Sequence, residues 1–501
     1  MARNDPIRDP LRRSLLAGLM SILAAPVLAN APTASLRPLP RDPDLRRRSI
    51  PRVEALVDAA GLTGRVTYAV ADADTGEMLE TRAPLLGQPP ASVAKALTTL
   101  YALETLGPAY RFRTRLIGTG PVEDGVLKGD LVLQGGGDPT LDTDAVAAMV
   151  RDLKAFGLRR IDGRLLVDAD ALPHLPQIDP GQPDHAGYNA ALSGLNLNYN
   201  RVFFEWKRNG GDYDLTMDAR SASHRPAVRI SRMEIVDRTT PVYTYSADEG
   251  RDVWTVSRKA LGKGGGRWLP VRRPEGYAAE VFHTVARAEG LSVPRPQPGV
   301  APEDGAVLAQ YAAPELSDLL LEMLKYSTNL TAEVVGLTAT RARGGPGDTL
   351  AASAGAMSDW LAARYGARRA ELVDHSGLGG ASRVSAQSMV QVLCRAGWDG
   401  PLRTLLKPVA FRDDKGRPMR AHPVQAMAKT GTLNFVSGLA GYMKEPGGRR
   451  MVFAIFAADP DRRAAIPPEY RDRPPGARPW AVRARRLQHR LIERWAQVYG
   501  A

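Results

Sequence analysis

A nucleophile and a base to serve it stand three residues apart in Ser92-Val93-Ala94-Lys95. On a helix that spacing puts a hydroxyl and an amine on one face, within reach of each other. A serine hydroxyl attacks poorly until something takes its proton, and a lysine does so only when its pKa falls toward neutrality. The positive end of a helix helps on both counts, because it disfavours a nearby ammonium and favours charge developing on the serine oxygen. Pro89-Pro90 ends extended chain just before, and Leu97, Leu100, Tyr101 and Leu103 recur at helical spacing, so Ser92 is expected in or beside the first turn of a helix. Alone the pair is weak, since a chain of this size contains roughly one Ser-x-x-Lys by chance.

Two further groups could complete the chemistry. Lys429-Thr430-Gly431-Thr432 leads into β-prone Phe435 and Val436 and fits a strand, with Lys429 and Gly431 on one face and Thr430 and Thr432 on the other. A lysine beside threonine hydroxyls can hold a carboxylate, glycine admits close backbone approach, and an exposed strand edge can pair with an extended peptide. The plain alternative is a turn or a solvated strand end. Ser327-Thr328-Asn329 follows apolar Leu319, Leu320 and Met323 and is expected to cap or end a helix. A hydroxyl and an amide placed there can also relay a proton to a leaving amine and orient a substrate amide.

The elements that must position these groups fall in three stretches. Val66 to Val70 and Met78-Leu79 flank Asp74-Thr75-Gly76 as a hairpin. From Tyr110 to about Pro298, short alternating apolar runs such as Leu131-Val132-Leu133 and Leu165-Leu166-Val167 alternate with turn residues, which predicts a β-rich insertion. Asp138 before Pro139 reads there as a turn residue. Helical patterning returns at 313–337 and 355–365, and Gly438 to Met443 and Met451 to Phe456 flank Pro446-Gly447-Gly448 as a second hairpin. Trp480, Ala484, Leu487, Leu491, Trp495 and Val498 share one face of a final helix with arginines opposite, suited to packing on a sheet or, as the lesser alternative, to lying on a membrane surface. Strands at both ends with helices beside them predict one α/β domain interrupted by the insertion.

Composition narrows the class. At 501 residues, 44% hydrophobic and 24% charged, the chain can bury a large core and is globular. Its net charge of +13 is spread over scattered arginines without interleaved aromatic residues, which argues against nucleic acid and suits work beside an anionic polymer. Arg8, Arg12 and Arg13, the apolar run from Leu15 to Leu28, and Ala29 and Ala31 read as an export signal, ordinary or twin-arginine, and predict a periplasmic enzyme without a membrane anchor. The one cysteine, Cys394, excludes an internal disulfide and is expected to pack as a small core residue. Seven dispersed histidines with no paired ligand motif give metal catalysis no support.

The order Ser-x-x-Lys, Ser-x-Asn, Lys-Thr-Gly resembles the signature of penicillin-binding proteins and serine β-lactamases. The long first interval, from Ser92 to Ser327, together with Gly136-Gly137-Asp138-Pro139-Thr140-Leu141 and Leu192-Ser193-Gly194-Leu195-Asn196, resembles the class C low-molecular-mass penicillin-binding proteins, D-Ala-D-Ala carboxypeptidases and endopeptidases of the type-4 group. That resemblance implies an α/β (α+β) fold, with an antiparallel sheet flanked by helices. Its segments would be a signal peptide at 1–31, a transpeptidase-like domain at 32–109 and 299–501, and an insertion at 110–298, expected as two subdomains. It implies Ser92 as the acylated nucleophile, Lys95 as base, Ser327 and Asn329 in proton transfer and amide positioning, and Lys429 and Thr430 on the terminal carboxylate. The N–H groups of Ser92 and Thr432 would form the oxyanion hole. The implied partners are peptidoglycan peptides and, as covalent inhibitors, β-lactams; no cofactor is required. Two departures stand out. Thr328 replaces the usual Asp, and Gly380 in Asp374-His375-Ser376-Gly377-Leu378-Gly379-Gly380 stands where the family tends to carry an arginine for the diaminopimelate side chain, with Arg383 as a substitute. Asp184 is a candidate for holding the diaminopimelate amino group. A β-lactamase and a vestigial wall-binding module are the alternatives.

Overall fold

A computed structural model describes residues 50–500 apart from 414–416 and 420, so the expected signal at 1–31 lies outside the described residues. The chain enters with strands β1 (Arg65–Asp72) and β2 (Met78–Arg82), then a 3-10 turn at Ala91–Val93 that runs into helix α1 (Ala94–Leu106). After the insertion come α2 (Leu316–Tyr326), α3 (Asn329–Ala342), α4 (Leu350–Tyr365) and α5 (Ala386–Ala396). The short β3 (Lys407–Pro408), then β4 (Gln425–Leu433), β5 (Val436–Lys444), β6 (Arg450–Ala458) and α6 (Ala477–Tyr499) complete it.

The six strands form one antiparallel sheet in the order β2-β1-β6-β5-β4-β3, so the first and last hairpins share an edge between β1 and β6. Period-two alternation explains why these strands are apolar on both faces. Val452, Ala454 and Phe456 point into a core filled by α1 to α5, while Met451, Phe453 and Ile455 meet Leu487, Leu491 and Trp495 of α6 on the other side. The face of α6 read from the sequence is therefore a sheet-packing face. The turn between β5 and β6 is fixed by Glu445, whose carboxylate accepts the N–H groups of Gly447 and Arg449.

The inserted region has its own hydrophobic core. A five-stranded mixed sheet runs through Pro296–Pro298, Leu165–Asp168, Leu131–Gly135, Arg113–Gly118 and Ala306–Ala312, with three three-stranded sheets besides it. It differs from the β-rich expectation in carrying two long helices, Thr143–Ala155 and Pro274–Ala288, that pack into this core. Val146, Met149, Val150 and Leu153 do lie at helical spacing, but the short apolar runs around them dominate the pattern. The strand Ala306–Ala312 pairs with Arg113–Gly118, so this sheet takes in a strand beyond residue 298. Asp138 is a buried turn residue, its Oδ1 accepting the N–H and hydroxyl of Thr140.

Candidate active site

The helical reading of 313–337 is broken at the functional motif. Ser327 caps α2 in the left-handed conformation with φ 61°, and Thr328 turns the chain into α3, which begins at Asn329. This reversal aims the Asn329 amide from a helix junction toward Lys95 of α1 and the Ser327 hydroxyl toward Lys429. Opposite them lies β4, in which Lys429 and Gly431 are buried and Thr430 and Thr432 exposed, as alternation requires. Gly431 lets β4 approach the nucleophile: a Cβ there would sit 2.6 Å from the Pro90 carbonyl oxygen and 3.1 Å from the Ser92 nitrogen. The Gly431 and Ser92 backbones are thereby brought beside one another.

Lys95 joins the three segments. Its Nζ lies 3.1 Å from Ser92 Oγ, 2.7 Å from Asn329 Oδ1 and 2.8 Å from the Ser376 carbonyl oxygen. A neutral amine fits these partners, donating to the two carbonyl oxygens and offering its lone pair to the serine proton. Lys95 is fully buried, and burial pushes its pKa down against the raising effect of Glu333 and Asp374. Lys429 Nζ donates to Ser327 Oγ at 3.0 Å and to the Thr430 carbonyl at 2.8 Å. Burial, with Lys95 and Lys407 nearby, presses its pKa down to about 6. The site thus holds two lysines, each bound to a serine hydroxyl, in an environment that disfavours their charged forms. Among the described residues no group of histidine, cysteine or acidic side chains could hold a metal.

The insertion supplies one wall. Asn329 Nδ2 donates to the Tyr188 carbonyl at 3.0 Å, which orients the amide so that Oδ1 faces Lys95. Asp184 is exposed, and its backbone carbonyl accepts from Arg272. Asp179 is the loop carboxylate whose charge is felt by Tyr188, Arg463 and Asp374. Its backbone is pinned by Asn189, fully buried, whose amide oxygen accepts the N–H groups of Ile178 and Asp179 and whose Nδ2 donates to the Asp179 carbonyl.

Gly380 opens onto a cleft of about 360 Å³ that Gly181, Gln182, Arg383, Asn434 and Arg463 also line. A Cβ at Gly380 would lie 3.7 Å from Arg463 Nε, so a guanidinium reaches this point from the segment after β6. Arg383 is turned to the Gly380 and Ser382 carbonyls. Neither Arg463 nor Asp179 sits in a motif of the sequence. Cys394 is half-buried against the main core, and burial raises its thiol to about 11, leaving it a packing residue.

The model of the D-Ala-D-Ala carboxypeptidase 3 (S13) family matches residues 52–471. The chain belongs to that family. It is a low-molecular-mass penicillin-binding protein and an enzyme of serine carboxypeptidase type. A D-alanyl-D-alanine carboxypeptidase of an Actinomadura species is 28% identical over 472 residues, 86% of this chain and 83% of that one. The D-alanyl-D-alanine carboxypeptidase of Haemophilus influenzae is 25% identical over 391 residues, 73% and 79% of the two chains. The crystal structure of penicillin binding protein 4 from Haemophilus influenzae shares the fold, with TM-score 0.68, 20% identity, and 82% and 93% coverage.

Proposed function

We propose that this penicillin-binding protein is an exported serine D,D-peptidase of peptidoglycan that works through an acyl-enzyme on Ser92 and is trapped by penicillin. The observation that carries the reading is Lys95 Nζ held at once against Ser92 Oγ and Asn329 Oδ1 in a fully buried setting. Lys95 takes the Ser92 proton as Oγ bonds to the carbonyl carbon of the penultimate D-Ala. The Ser92 and Thr432 N–H groups receive the oxyanion, and such donors account for several kcal/mol of barrier lowering (about 3) in comparable sites. Ser327, bound to Lys429, passes a proton to the leaving amine. Lys429 and Thr430 hold the terminal carboxylate, and Asn329 orients the substrate amide. Water then attacks the acyl-enzyme and releases the shortened peptide. A β-lactam opens at the first step but keeps its amine tethered, which obstructs water.

Arg463 replaces the missing arginine at Gly380 and binds the diaminopimelate carboxylate, while Asp179 binds its amino group. Both terminal D-Ala and D-Ala-diaminopimelate cross-links fit a cleft open at this end. The expected test result is covalent labelling by a fluorescent penicillin that Ser92→Ala abolishes without changing the melting temperature. Labelling that persists in Ser92→Ala would sink the assignment, and rapid penicillin turnover would make the protein a β-lactamase. Mass spectrometry of muropeptides separates the activities: loss of terminal D-Ala marks a carboxypeptidase, and conversion of cross-linked dimers to monomers marks an endopeptidase.

A further inference from the structure

Helix α3 carries a lone acidic residue, Glu333, one turn beyond Asn329 and therefore on the same face. It is fully buried, its chain neighbours Leu330, Ala332, Val334 and Val335 are buried too, and an unpaired carboxylate there would cost several kcal/mol, roughly the penalty of an isolated buried ion. Its two oxygens accept the N–H groups of His375 and Ser376, each at 2.9 Å. The Ser376 carbonyl in turn accepts from Lys95 at 2.8 Å. The Ser376 residue thus links the carboxylate, through its N–H, to the base, through its C=O. The turn is held from its other sides as well. The His375 carbonyl accepts the Thr98 hydroxyl at 2.6 Å, and the Asp374 carboxylate accepts the N–H groups of Gly377 and Gly379. Gly336 leaves no room for slack, since a Cβ there would sit 2.1 Å from the His375 ring.

We propose that Glu333 is a positioning residue for acyl transfer: it aims the Ser376 carbonyl at Lys95 and supplies the negative charge against which Lys95 receives the Ser92 proton. This rests on the reading of Ser92 as nucleophile and Lys95 as base. In the step itself the Ser92 O–H bond breaks, an N–H bond forms on Lys95, and Oγ bonds to the substrate carbonyl carbon. A positive charge appears on Lys95 as a negative one appears on the oxyanion. The groups that face this event are Glu333 and Asp374 on the acidic side and Lys429 on the basic side, with Asp179 acting on Asp374 from the insertion. The His375 imidazole is neutral there, pushed down to about 3 by burial. Burial raises the Glu333 carboxyl and lowers Lys95, and each charge favours the other.

The test is the acylation rate by a chromogenic penicillin against pH, for the wild type, Glu333→Gln and Glu333→Asp. Loss of the charge that raises Lys95 should move the acid limb of Glu333→Gln to lower pH by roughly one unit. Its plateau should fall by about tenfold or more, because a weaker, less well aimed base accepts the proton. Glu333→Asp keeps the charge, so its acid limb should stay in place while its plateau falls. A folded Glu333→Gln with the wild-type limb and plateau overturns the proposal. If Glu333→Gln does not fold, Glu333→Asp decides: wild-type rates at every pH overturn it, and failure of both variants to fold assigns the carboxylate to the scaffold and overturns it too. A wild type that penicillin does not acylate at all would instead bring down the acyl-enzyme reading.

Discussion

Substrate binding should draw a proton onto Lys429. Its free-enzyme pKa is pressed to about 6, so at pH 8 its amine is neutral, yet it must be an ammonium to hold a carboxylate. Charging it at pH 8 costs about 2.7 kcal/mol, two pKa units at the standard conversion, or roughly a hundredfold in affinity. The sign follows from linkage: the bound anion raises the Lys429 pKa, the complex holds more protons than the free enzyme, and binding weakens as pH rises above 6. The measurement is calorimetry of a peptide ending in D-Ala-D-Ala with the acylation-dead Ser92→Ala protein, in two buffers of different ionisation enthalpy. At pH 8 the expected uptake is about one proton per site, with affinity falling about tenfold per pH unit between 7 and 8. Lys429→Gln should bind weakly, take up no proton, and show a flat dependence. Uptake that survives in Lys429→Gln, or a wild type whose affinity does not change between pH 6 and 8, would refute the reasoning.

Arg463→Ala should lower kcat/KM for peptides bearing diaminopimelate by on the order of tenfold to a hundredfold, the loss of one charged hydrogen-bonded contact. Penicillin acylation should stay within about twofold, since that contact is absent from the drug; equal losses on both ligands would remove Arg463 from substrate recognition. Gly431→Ala drives a Cβ to 2.6 Å from the Pro90 carbonyl oxygen and displaces β4 from the Ser92 nitrogen. Acylation should slow by on the order of a hundredfold through the oxyanion site, with a melting temperature lowered by the overpacking, and an unaltered acylation rate would count against that site.

What the sequence determined by itself was local. Ser92 and Lys95 are three apart at the start of a helix, and Lys429 and Thr430 alternate on a strand, so their relative directions follow from helical and strand periods alone. The hairpins and the apolar face of α6 were legible for the same reason. Even Glu333 left a trace, as a lone acid in the apolar stretch from Leu330 to Leu337, though nothing in its spacing says that it lies beside a lysine more than two hundred residues away. The tertiary structure alone decided which distant groups meet: Lys95 with Asn329 and Ser376, Lys429 with Ser327, Gly380 with Arg463. It also fixed the loop at Asp179, whose backbone the buried amide of Asn189 holds and whose carboxylate accepts the Gly181 N–H and Gln182 Nε2. The proton affinities belong to the structure as well. A lysine becomes a base or a carboxylate grip through burial and neighbouring charge, and both exist only after segments far apart in the chain have closed around it.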